Sequence, residues 1–186
     1  MPAVVSLLRG VNVGGNHLIR MEDLRALYES LGFRRPQTYV QSGNVVFGAK
    51  DPNTSRLASR IEDAIEGRLG IRPRVVVRTA DEMKRVVANN PFAGRSDVAA
   101  SKLLVLFLAG VPEPDAAARI SSAQSDPEEL RLAGREVYAF YPNGIGRAKI
   151  SPGLIEKILK MPATGRNWNT VTRLLSMAES FESGCG

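Results

Sequence analysis

The spacing of apolar residues switches between two periods along the chain, and the order of the switches restricts the fold more than any other feature. Residues 3–9 form a valine- and leucine-rich run without helical spacing, the pattern of a buried strand. Met21, Leu24, Leu27, Tyr28 and Leu31 then recur at helical spacing, and Gly32 is placed to cap that helix. Thr38–Val40 and Val45–Phe47 flank Gln41-Ser42-Gly43-Asn44, a hairpin pattern with glycine in the turn. Leu57, Ile61, Ala64, Ile65 and Leu69 mark a second helix ended by Gly70, and Val75–Val77 is a fourth strand.

The second half begins the same order again. Thr79 and Glu82 form a capping box for a short helix closed by Pro91, and residues 93–99 read as a linker. A strand over Leu103–Leu108 follows, then a short helix near Ala116–Ile120 introduced by Pro112 and Pro114. Two strands, Glu129–Leu132 and Val137–Tyr141, are joined by Ala133-Gly134-Arg135. Ser151-Pro152 is an N-cap followed by an N1 proline, opening a helix that carries Leu154, Ile155, Ile158 and Leu159. Trp168, Val171, Leu174, Leu175, Ala178 and Phe181 stripe a last helix. The expected fold is α+β, with two ferredoxin-like βαββαβ-type subdomains in tandem: 1–92 with its following helix, linker 93–99, and 100–186. The fourth strand of the second subdomain is left open, with Ala163–Arg166 as its one candidate, and no residue-level repeat relates the halves.

Composition narrows the function classes. The longest apolar run, Leu103–Ala109, is far shorter than the ~20 residues of a membrane helix. The N-terminus lacks a basic segment and a small-residue cleavage site, so no signal peptide is expected. The single cysteine, Cys185, and single histidine, His17, exclude an intrachain disulfide and a Cys/His metal site, and a cytoplasmic location is expected. A net charge of +6 suits an anionic partner, though it also suits simple solubility.

Four loops carry the candidate chemistry. The first, with Arg9, Asn12, Gly14 and Gly15, offers freed backbone amides to an anion, yet its G-x-x-x-G-G spacing is neither a dinucleotide fingerprint nor a P-loop. The alternative is a tight connection needing positive φ. Gln41, Ser42 and Asn44 either present polar groups to a ligand or satisfy the hairpin backbone. A nucleophilic Ser42 would need His17 as its base, and no spacing supports a triad. Gly146, Arg147 and Lys149 place two cations beside glycine backbone, either for a phosphate or carboxylate or as a solvated loop. Arg166 and Asn167 stand where the last helix begins, Asn167 being its natural cap. Trp168 either stacks on a base or fills the core, and its phase with Val171 and Leu175 favours the core. Paired carboxylates such as Glu22-Asp23, Glu62-Asp63, Asp81-Glu82 and Glu128-Glu129 fall on helix starts, exposed faces or a turn, so no two-carboxylate site is expected.

Four stretches, residues 8–15, 39–47, 141–149 and 163–171, closely resemble the bacterial family of domain of unknown function 1697. The resemblance implies two ferredoxin-like α+β subdomains and no activity, catalytic residue or cofactor. The residues themselves suggest binding of an anionic small molecule, a nucleotide or phosphorylated metabolite, in a cleft between the subdomains. Sequence-tolerant RNA or DNA binding through Tyr39, Phe47, Phe107, Tyr138, Phe140 and Tyr141 stays open, as does an enzyme of unassigned class.

Overall fold

A computed structural model describes residues 1–15 and 18–184; His17 and Cys185 lie outside the described residues. The chain divides into two compact units, Met1–Lys84 with Arg173–Gly186, and Arg85–Thr172, so the 93–99 segment lies inside the second.

The first unit runs β1 (Ala3–Leu8), α1 (Met21–Ser30), β2 (Arg34–Tyr39), β3 (Asn44–Gly48), α2 (Thr54–Leu69) and β4 (Val75–Thr79). Its antiparallel sheet has the order β2-β3-β1-β4, the ferredoxin-like arrangement. Every residue of β1 and β3 is buried. That burial on both faces explains why these strands read as continuous apolar runs instead of alternating ones. Val4, Leu8, Val45, Phe47, Val75 and Val77 pack against Leu24, Leu27 and Tyr28 of α1 and Leu57, Ile61 and Ile65 of α2. The single hydroxyl of β1, Ser6, meets the Tyr28 hydroxyl at 2.8 Å, and burial pushes that phenol well above its ordinary pKa. Gly32 (φ 75°) closes α1 with two backbone bonds, Gly32 N–H to Glu29 and Phe33 N–H to Tyr28, a Schellman ending. The edge strand β2 starts earlier than its sequence suggests, at Arg34, and takes in Pro36 at a register shift between Arg34 and Gln37. An edge bulge is where a strand tolerates proline.

The boundary between the units falls within two helices. One is α3 (Ala80–Ala88), opened by the reciprocal Thr79–Glu82 capping box. The other is α6 (Trp168–Ser183), whose end returns to the first unit. There the Phe181 ring lies so close to Gly48 that a Cβ would stand 2.9 Å from its Cζ, and the Phe181 carbonyl accepts from Arg35.

The second unit repeats the order: β5 (Leu103–Leu108), α4 (Ala116–Ala123), β6 (Glu129–Ala133), β7 (Glu136–Phe140), α5 (Pro152–Leu159) and β8 (Ala163–Asn167), in the sheet order β6-β7-β5-β8. β8 supplies the fourth strand, antiparallel to β5. Trp168 is only partly buried, so it is not the core residue that its phase suggested. Its spacing places it on the buried stripe, but it is the first residue of α6, where the stripe meets the sheet edge. The fold is thus α+β with two ferredoxin-like units. Among the described residues, no helix is long and apolar enough to cross a membrane.

Carboxylates hold the irregular connections. Glu62 of α2 accepts from the Val75 amide at 2.8 Å and Glu156 of α5 from the Ala163 amide at 2.7 Å, each tying a helix to the strand that follows it. Buried Glu128 accepts from the Lys149 and Ile150 amides at 2.6 and 2.9 Å. Arg95 anchors the 93–99 segment: it donates bidentately to Glu129 at 2.8 and 2.9 Å, bonds Asp97, and covers the Phe92 and Phe140 rings. The Arg95 hydrogen bonds hold the Asp97 and Glu129 carboxyls below their ordinary pKa.

Two outcomes follow from these contacts. Glu128→Ala strips the acceptor from two loop amides, and the urea midpoint should fall by the equivalent of about 2–4 kcal/mol with an unchanged slope. Depressed carboxyl pKa values stabilise the fold above the ordinary carboxylate range and cease to do so as pH falls through the lowered values. The urea-midpoint difference between the native protein and Arg95→Ala should therefore be smaller at about pH 2 than at about pH 7, the remainder coming from the lost ring contacts.

Candidate functional site

Strand pairing brings the first two candidate loops together. β1 and β3 are antiparallel with Leu7 opposite Asn44, so the end of β1 lies at the turn before β3. The Leu8 amide donates to the Gly43 carbonyl at 2.9 Å, and the Arg9 amide to the Arg74 carbonyl at 2.9 Å. Beyond Gly10 the chain turns back, and Asn12 adopts a left-handed conformation (φ 56°) that asparagine tolerates better than most residues. Its side chain then clasps three backbone groups. The amide nitrogen donates to the Ile19 carbonyl at 2.9 Å and the Gln41 carbonyl at 2.8 Å, and the oxygen accepts from the Ile19 amide at 2.7 Å. Gly14 (φ 61°) and Gly15 (φ 77°) are exposed in the same loop.

This clasp shapes one wall of a pocket of about 480 Å³, lined by Asn12, Leu18, Ile19, Arg20, Met21, Glu22, Arg25 and Gln41. Arg20 is the N-cap of α1 and makes no side-chain cap bond, so no side chain covers the amides of the first turn from that position. Arg20 pairs with Glu22 at 2.8 Å in an exposed bridge. Arg25 donates to the Thr38 hydroxyl at 2.8 Å, and among the described residues no carboxylate pairs with it. That partner is a neutral hydroxyl, and Glu22, paired with Arg20, lines the same pocket. Ile19, Met21 and Leu18 supply apolar wall beside these cations.

Asn12 and Gln41 are thus the two sequence candidates that line the pocket. Arg9, Gly14 and Gly15 belong to the same loop without lining it. Ser42 and Asn44 serve the turn: the buried Asn44 amide donates to the Tyr39 carbonyl and the Ser42 hydroxyl, both at 2.9 Å. The remaining candidates are in the second unit. Gly146 and Arg147 lie exposed in a 3-10 turn, whereas the Lys149 amide is taken by Glu128 and its ammonium by the Asp126 carbonyl at 2.9 Å. Arg166 of β8 bonds the Thr164 hydroxyl and the Gly165 carbonyl, both at 2.9 Å, and burial pushes its pKa down to about 10. Asn167 caps α6, accepting from the Thr170 amide at 2.9 Å, and it also lines a smaller pocket of about 240 Å³ with Lys102, Tyr141 and Ile145.

Arg20 and Arg25 are the pocket cations that were not among the sequence candidates. For Arg25 the available signal was its spacing, one helical turn after Met21 and so on the same face of α1. Of the aromatics that an RNA-reading sheet would expose, Phe47, Phe107, Tyr138, Phe140 and Tyr141 are buried.

The solved structure of the conserved bacterial protein SP0830 from Streptococcus pneumoniae matches this fold with a TM-score of 0.73 and 20% identity, over 95% of this chain and 98% of that one. At that identity the likeness establishes the fold alone. None of the curated proteins matches the chain. The family model described as "Protein of unknown function (DUF1697)" matches residues 1–138, ending before the motifs at 141–149 and 163–171. With 138 of 186 residues inside that match, the chain belongs to the DUF1697 family.

Proposed function

We propose that the first unit binds a small anion in the pocket at the start of α1. The reading is carried by Arg25, whose charge faces the pocket without a carboxylate partner among the described residues. Arg20 adds a second guanidinium, held by an exposed ion pair with Glu22, the kind of pair worth ~1 kcal/mol or less and readily exchanged for a ligand. The open first turn of α1 contributes amide donors and partial positive charge of the sign an anion needs. Asn12 positions this arrangement and does not contact the ligand through its amide, which the backbone already occupies. The class of anion is a phosphorylated metabolite, a nucleotide or a carboxylate, and the pocket volume suits a molecule of that size.

A thermal-shift series with phosphate, sulfate, nucleotides and sugar phosphates tests the proposal. A ligand at a hundred times its Kd adds ~2.7 kcal/mol, a rise of roughly 5–10 °C for a chain of this length. Arg25→Ala should abolish that rise while lowering the Tm of the free protein by only a few degrees. A rise that survives Arg25→Ala, or a response to RNA alone that weakens steeply with salt, would refute it.

A further inference from the structure

Glu22 and Arg25 stand three residues apart on α1, the spacing at which opposite charges on a helix surface ordinarily meet. Here they do not pair. Glu22 takes a bond from Arg20 at 2.8 Å, and Arg25 donates to the Thr38 hydroxyl of β2 at 2.8 Å. Each charge is drawn to a separate partner, yet both line the same pocket of about 480 Å³. The Arg20 bond uses one oxygen of Glu22, and a carboxylate accepts at both. Arg25 likewise uses one of the five donors of a guanidinium on Thr38. Leu18, Ile19 and Met21 complete the lining with apolar side chains.

A simple anion fits only part of this arrangement. Drawing Arg20 to it strips Glu22 of its partner, and the bare carboxylate then repels the ligand. A ligand that also carries an ammonium removes the conflict, because the ammonium takes the place of Arg20 at Glu22. Arg20 is then released to join Arg25 on the ligand's negative end. We infer that the ligand of this pocket is the zwitterion of an α-amino acid with an apolar side chain. Its carboxylate meets Arg25, its ammonium meets Glu22, and its side chain lies on the wall of Leu18, Ile19 and Met21. The inference rests on the anion-binding reading of the same pocket and names the carboxylate as the anion.

Calorimetric titration of the full chain with leucine, isocaproate, isoamylamine and inorganic phosphate separates the alternatives. Isocaproate is leucine without its ammonium, and isoamylamine is leucine without its carboxylate. Leucine should bind at least about tenfold more tightly than isocaproate, the factor expected for one charged hydrogen-bonded contact, and isoamylamine should bind most weakly. Glu22→Gln should weaken leucine about tenfold and tighten isocaproate, since it removes an ammonium partner from one and a repelling charge from the other. Damage to the fold would not move the two ligands in opposite directions. Isocaproate or phosphate binding as tightly as leucine would overturn the zwitterion and leave the anion reading standing. An equal fall for leucine and isocaproate in Glu22→Gln would give that residue a structural role and overturn the inference as well. Binding of none of the four would overturn both readings.

Discussion

In each unit the first strand is an inner strand, hydrogen-bonded on both sides, and the remaining geometry depends on that position. β1 lies between β3 and β4, and β5 between β7 and β8. An inner strand covered on both faces has no tolerance for polar side chains without partners, so Ser6 is matched by Tyr28. The same placement decides where the chain emerges. The amide of Leu8 bonds Gly43 and that of Arg9 bonds Arg74; in the second unit Leu108 bonds Arg135 and Ala109 bonds Pro162. Leu8-Arg9-Gly10-Val11 and Leu108-Ala109-Gly110-Val111 are therefore equivalent in structure, a local repeat too short to stand out along the sequence. The two copies then diverge. Val11 is buried in the apolar core of the first unit and is followed by Asn12 in the pocket wall, whereas Val111 is 79% exposed.

Polar side chains in this protein are used chiefly to satisfy irregular backbone. Asn12, Asn44, Glu62, Glu128 and Glu156 each accept from or donate to main-chain groups that no sheet or helix ladder reaches. Arg25 is used differently, its partner being the neutral Thr38 hydroxyl.

How legible each part was in the sequence follows from how locally it is encoded. The inner strands, the capped ends of α1, α2 and α5, and the Thr79–Glu82 box are written in contiguous residues and read directly. Two of the four outer strands are different. β2 is Arg-Arg-Pro-Gln-Thr-Tyr and β8 is Ala-Thr-Gly-Arg-Asn, with little apolar pattern, and each is specified by the one strand it pairs with. The site shows the same division. Asn12 and Gln41 were visible as polar residues in turns, but their meeting depends on pairing between β1 and β3. Lys149 looked available because the carboxylate that holds its amide lies twenty-one residues earlier.

The first unit is discontinuous in sequence, and this sets a timetable for biosynthesis. Its sheet and both its covering helices leave the ribosome before the second unit is made, yet Phe181 against Gly48 and the bond from Arg35 to the Phe181 carbonyl come from the end of α6. Until the end of α6 emerges from the ribosome, the nascent first unit lacks the Phe181 contacts at Gly48 on β3 and Arg35 on β2, the edge strand of its sheet. Emergence of the end of α6 is thus the step that seals the domain translated first, and a chain stalled shortly before Phe181 would present that patch to chaperones with its sheet otherwise complete.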